Sequence, residues 1–263
     1  MFGTIIALAL IASSVNAITY TAEAEADRVV NIPGGENLNA TYGMFSGYIP
    51  VSDTKKMHYW LVEAEGADSD SKPVAFWSNG GPGCSGLIGF MTEQGPFKAT
   101  KDMKLEANPY AWNKVANMVF IEAPCGVGFS YSDDKNDYKT GDDQTAIDNY
   151  LLIQGFLKRF PEFQDNDIYI TSESYGGHYM PTLAKTIVDN NAAGVTPLVN
   201  FKGFAVGNPY NNLYSGTPSG LETYWGHQLV SKPLFDQYTK ECIDAKFPLK
   251  NLGPCEAIMV AMM

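Results

Sequence analysis

Apolar and polar residues alternate over residues 42–51 and again over 57–64, with Ser52-Asp53-Thr54 between them. A period of two in adjacent runs joined by turn residues predicts a β-hairpin with one buried face. An exposed loop, residues 65–72, follows. Residues 73–78 (PVAFWS) and 117–123 (NMVFIEA) are short apolar runs, which predict buried strands. Each ends in a glycine-containing turn. Residues 142–160 carry Ile147, Tyr150, Leu151, Phe156 and Leu157 mostly at spacings of three, four and seven, which predicts a helix stopped by Pro161. Residues 167–171 (DIYIT) predict another strand, and a helical pattern runs from Gly177 to Val188. Residues 201–207 (FKGFAVG) predict one more strand. Strands alternating with helices imply an α/β fold with a mostly parallel sheet. After Asn208-Pro209 the pattern changes: residues 221–229 and 234–245 read as helices, and no buried strand recurs. The expected organisation is an α/β core over 41–209 and a helical insertion over 210–263.

The ends and the composition add a compartment. Residues 5–12 are apolar and too few to span a bilayer. Val15-Asn16-Ala17 has the small-x-small form of a signal-peptidase site, so residues 1–17 read as a cleaved secretory signal. Residues 18–40 are polar and acidic and predict a loosely ordered lead-in or short pro-segment. Asn39-Ala40-Thr41 is a glycosylation acceptor triplet. The net charge of -11 excludes a phosphate-binding surface and so argues against nucleic acid as a partner. No other stretch approaches a transmembrane span. The four cysteines, Cys84, Cys125, Cys242 and Cys255, allow three full pairings in an oxidising compartment. No Cys-x-x-Cys or Cys/His cluster suggests a metal, and no cofactor motif is present.

Two stretches carry chemistry. In Ser172-Glu173-Ser174-Tyr175-Gly176 a predicted strand breaks sharply before a helix, with Ser174 at the apex. That is the layout of a nucleophile elbow, which lifts a hydroxyl out of the sheet and aims backbone N–H groups at its target. Ser172 stands where the usual pattern has glycine, so the match is imperfect. In Asn79-Gly80-Gly81-Pro82-Gly83-Cys84-Ser85-Gly86 a strand runs into paired glycines. The loop lacks the Gly-Lys-Ser/Thr of a P-loop and the spaced glycines of a dinucleotide site. It suits close approach of backbone N–H groups to an oxyanion.

WSNGGPGCSG (77–86), TEQGPF (92–97), ANPYAWNKVANMVFIEAPCGVGFSYS (107–132) and SESYGGHYMP (172–181) occur in that order. Together they resemble the serine carboxypeptidase family (peptidase family S10), secretory-pathway α/β-hydrolases that release C-terminal residues from peptides. The resemblance implies a vacuolar, lysosomal or extracellular location and no cofactor. It implies Ser174 as nucleophile, with the N–H groups of Gly81 and Tyr175 as oxyanion hole. Asn79, Glu173 and the Gly80 backbone would bind the substrate's terminal carboxylate, and Trp77 and Glu93 would support them. A carboxyl facing a carboxylate must keep a proton, which favours acidic pH. The family's loop cysteine, here Cys84, pairs far downstream, whereas Cys242 and Cys255 lie close enough for a local bridge. Cys125 then reads as a free buried thiol.

The catalytic aspartate and histidine come late in the family, after the insertion. His58 precedes the nucleophile, His178 follows it in the helix, and His227 matches the start of the insertion. The expectation is therefore an N-terminal portion of a longer enzyme, with an incomplete sheet and triad. Three activities fit: a carboxypeptidase, an acyltransferase using the same serine, and a non-catalytic peptide-binding or protective protein.

Overall fold

The structure is a computed structural model that describes residues 19–36, 38, 40–243, 255, 257, 258 and 261. The expected signal segment and the Asn39 acceptor lie outside the described residues. In chain order the helices and strands are α1 (Ala22–Ala26), β1 (Met44–Pro50), β2 (Lys55–Val62), β3 (Val74–Ser78), β4 (Phe97–Ala99), β5 (Leu105–Ala107), β6 (Asn117–Ile121), β7 (Tyr131–Ser132), α2 (Asp142–Arg159), β8 (Ile168–Glu173), α3 (Gly176–Ala192), β9 (Phe201–Gly207), α4 (Leu213–Gly226) and α5 (Lys232–Tyr238).

The main sheet runs β1-β2-β6-β3-β8-β9, with β7 paired to β2. It is mixed. The hairpin β1–β2 and its junction with β6 are antiparallel, while β6, β3, β8 and β9 are parallel. β3 and β6 are buried along their whole length, as expected of strands covered on both faces. One face packs on α2 and α3 through Phe76, Ile170, Phe156 and Leu183. The other packs Trp77, Phe120, Phe90 and Phe97 into a second cluster. β9 is the outer strand among the described residues, and its Phe204 is 49% exposed.

Two differences from the sequence reading have clear causes. Ile147 and Leu151 are 46% and 37% exposed. The buried face of α2 instead includes Thr145, Asp148 and Asn149, and Asp148 takes a buried ion pair from Lys55 at 2.8 Å. The lead-in is built into the fold over residues 20–28. Thr21 caps α1 by accepting the Ala24 N–H at 3.1 Å. Ala24 is fully buried, and the Tyr20 ring packs 4.8 Å from Phe45. The Asp27 carboxylate accepts the Tyr59 hydroxyl at 2.6 Å and pairs with Arg159. Gly47 leaves room for it, since a Cβ there would sit 2.3 Å from the carboxyl carbon. Asp27→Ala leaves a half-buried guanidinium and a phenol without their acceptor, and is expected to lower stability by about 2 kcal/mol. A urea midpoint equal to that of the unsubstituted chain would contradict this.

In the insertion, α4 begins before the expected residue 221, and α5 continues into a single wide turn, Thr239–Ile243. Cys242 is bridged to Cys255. With Leu221, Val230, Tyr238 and Ile258 the bridge forms a small core of its own.

Candidate active site

β8 ends at Glu173 and α3 starts at Gly176, so the reversal is made by Ser174 and Tyr175. Ser174 has φ +63°, the left-handed region that costs a non-glycine residue about 1–3 kcal/mol. Three hydrogen bonds hold it there. Its N–H donates to Gly207 O at 3.0 Å, and its carbonyl accepts from Gly177 at 3.0 Å and from Tyr210 at 2.7 Å. The side chain stands exposed above the parallel sheet. Ser172, the residue that departs from the usual pattern, donates its hydroxyl to Ser78 O at 2.6 Å and lies buried beneath Gly176. A Cβ on Gly176 would fall 2.1 Å from that hydroxyl. The smallness that the turn demands is thus met at Gly176, and Ser172 ties the turn to β3.

The loop after β3 lies directly against the turn. A Cβ on Gly80 would meet Tyr175 N and Glu173 O, each at 2.6 Å. Gly81 follows at φ +115°. Among the described residues, neither the Gly81 N–H nor the Tyr175 N–H has an acceptor. Two unclaimed donors on facing loops therefore border one exposed hydroxyl.

Beside them is a polar network. Asn79, 1% exposed, accepts the Trp77 indole N–H at 2.8 Å and the Gly89 N–H at 3.2 Å on one oxygen. These bonds fix the amide so that its nitrogen donates to Glu173 Oε1 at 2.9 Å. Burial and the charge of Glu173 push the Glu93 carboxyl above its ordinary value, against the pull of an Asn79 hydrogen bond and Lys98. Trp77, Glu93 and Glu173 line an open pocket of about 410 Å³ together with Tyr110, Trp112 and Ala205. Tyr110, Trp112 and Ala205 were not singled out by sequence; their side chains reach the pocket only through the folded course of residues 108–116 and β9.

The expected residues Trp77, Asn79, Gly80, Gly81, Glu93, Glu173, Ser174 and Tyr175 are thus gathered at the C-terminal ends of β3 and β8. The histidines are engaged elsewhere. His178 stacks on Tyr175, with its Nδ1 3.9 Å from Asp142. His227 is exposed at the end of α4, and His58 is buried in the hairpin. None hydrogen-bonds Ser174 among the described residues. Cys84 and Cys125 carry free thiols, exposed and buried respectively. No group of three or more metal-ligating side chains occurs among the described residues.

The model of the serine carboxypeptidase family matches residues 33–261. The chain belongs to that family. Serine carboxypeptidase-like 27 of Arabidopsis thaliana is 39% identical over 93% of this chain and 53% of its own length. The lysosomal protective protein of Mus musculus is 43% identical over 77% of this chain and 41% of its own. The chain spans about half the length of the curated serine carboxypeptidase relatives it matches. Among solved structures, the prohormone-processing carboxypeptidase Kex1(delta)p of Saccharomyces cerevisiae superposes with a TM-score of 0.78 at 24% identity, covering 91% of this chain and 57% of that one. This likeness shows the α/β-hydrolase fold.

Proposed function

We propose that this chain carries the nucleophile, oxyanion donors and carboxylate pocket of a serine-type carboxypeptidase of the secretory pathway, working in a lysosome-like vacuole or outside the cell. The observation that carries the reading is the meeting of an exposed, left-handed Ser174 with the unclaimed N–H groups of Gly81 and Tyr175. Ser174 Oγ attacks the last peptide carbonyl and gives up its proton. The oxyanion is received by the two N–H groups, and the C–N bond breaks to leave an acyl-enzyme and a free amino acid. Water then releases the shortened peptide. The base that takes the proton is none of the three histidines as placed here.

Asn79 and Glu173 orient the substrate by its terminal carboxylate. Glu93, whose proton is held to higher pH than usual, keeps negative charge off that corner in acid. An N-blocked dipeptide is expected to bind about 100-fold more tightly than its amide, as loss of a charged hydrogen bond implies. The advantage should shrink as pH rises through the Glu93 ionisation, and Glu93→Gln should flatten that decline. Equal binding of acid and amide at every pH would refute the exopeptidase reading.

A second reading, a non-catalytic binding or protective protein, is favoured by one observation: among the described residues none of the three histidines hydrogen-bonds Ser174. Fluorophosphonate labelling of a native extract, followed by recovery of the Ser174 peptide and sizing of its parent band, separates the two. A labelled parent supports the enzyme. An unlabelled protein that still binds the dipeptide supports the second reading.

A further inference from the structure

We infer that His58 is a positioning residue, acting through Glu122 to hold the Gly80–Gly81 loop in place. The inference rests on the carboxypeptidase reading for the meaning of that loop, though its geometry stands without it. Glu122 follows β6 and is 1% exposed. One oxygen accepts the hydroxyl of Ser85, which belongs to the loop after Gly80. The other accepts the Phe129 N–H at 2.7 Å and lies 3.0 Å from His58 Nδ1. Burial pushes the Glu122 carboxyl up, but the nearby His58 and the hydrogen bonds from Ser85 and Phe129 outweigh it and hold the group below its ordinary value.

One buried carboxylate therefore gathers two donors, from the glycine-rich loop and the turn after β6, and the close approach of an imidazole nitrogen from the hairpin. Charged acceptors make the stronger hydrogen bonds, and a buried one that loses a donor is left with an uncompensated charge. The approach is close on each side. A Cβ on Gly128 would fall 1.7 Å from Glu122 Oε1, and one on Gly86 would fall 2.1 Å from Ile121 O.

His58 is itself held once through its ring and once through its backbone. Nε2 lies 2.9 Å from Ser46 Oγ, and the His58 N–H donates to Ser130 Oγ at 2.8 Å. Ser130 in turn donates to Glu122 O at 2.6 Å. The imidazole Nδ1 faces the Glu122 carboxylate at 3.0 Å without the alignment of a hydrogen bond, and Nε2 faces the Ser46 hydroxyl. Ser46 is set by β1, so the order Ser46, His58, Glu122, Ser85 links the outermost hairpin to the loop that faces Ser174. No substrate group reaches His58, and its effect is on loop position alone.

Amide hydrogen exchange across residues 80–88 tests this without any need for turnover. His58→Leu and Glu122→Gln are expected to speed exchange in that loop about 10-fold, while α2 and α3 stay as they were. His58→Asn, whose amide can donate toward Glu122, is expected to restore most of the protection. Ser46→Ala should change it little. Alongside, the affinity of an N-blocked α-amino boronic acid, which forms a tetrahedral adduct at Ser174, should fall about 10-fold in His58→Leu. Unchanged loop exchange in a folded His58→Leu protein would overturn the inference, as would equal loosening of the loop and of α2. If the unsubstituted protein formed no boronate adduct, the carboxypeptidase reading would fail, and the exchange result would still decide the role of His58.

Discussion

Ser174→Ala is expected to abolish fluorophosphonate labelling and acyl-enzyme formation, and to slow peptide hydrolysis by about 10⁴–10⁶-fold in any form of this protein that turns over peptide. The companion substitution separates chemistry from strain. Ser174 holds φ +63° because bonds from Gly207, Gly177 and Tyr210 over-determine it. Alanine keeps that strain, whereas glycine adopts the same backbone freely. Ser174→Gly is therefore expected to be equally inert and more stable than Ser174→Ala by about 1 kcal/mol, or roughly 2–4 °C in Tm. The comparison is made by thermal unfolding of the two variants side by side. If the glycine variant melts no higher, the turn stores no strain and the elbow argument loses its physical basis.

Glu162 is expected to make stability fall as pH rises between about 4.5 and 7. Both carboxyl oxygens of Glu162 are buried and without a hydrogen-bond partner among the described residues. Burial, reinforced by the negative charge of Glu63 and opposed by the residue's own backbone N–H, pushes its pKa from 4.5 to about 7. The folded state thus binds a proton more tightly than the unfolded state. The resulting stability is fully present below pH 4.5 and is lost as pH rises through 7. At about 1.4 kcal/mol per pH unit the loss is at most about 3 kcal/mol. Glu63 and Glu93, also raised, act in the same direction, while Glu122, held low, acts oppositely. Urea midpoints at pH 5 and pH 7.5 measure the sum, and Glu162→Gln isolates the Glu162 part by removing it. Parallel pH profiles for the two proteins would sink the assignment.

The parallel strands and the hairpin were legible because burial there is uniform or strictly alternating, as in β3, β6 and β1. The buried face of α2 was not. Lys55 satisfies Asp148 from a strand far away in sequence, so a polar residue occupies a place that the apolar pattern assigned to Ile147 and Leu151. The candidate site was legible through the strand–turn–helix break at Ser174 and through the glycines, which local backbone geometry demands. Ser172 weakened the match to the elbow pattern, and the structure shows Gly176 making room for its buried hydroxyl. His58 was read only as a base on the wrong side of the nucleophile. Its actual partner, Glu122, is joined to it by strand pairing across β2 and β6, which no local pattern displays.

The anchoring of Asp27 to Arg159 has a temporal side. The two residues are 132 positions apart. At a synthesis rate of about 5–20 residues per second, that separation corresponds to roughly 7–26 s. During this interval the first strands have emerged but α2 has not, so Phe45, Tyr59 and the other hairpin residues that α2 covers have nothing to pack on. Until the eighteen residues of α2 arrive, the face of the nascent hairpin that α2 covers lacks that cover. Ribosome-bound chains ending just before and just after α2 should differ sharply in protease resistance at their N-terminal segment.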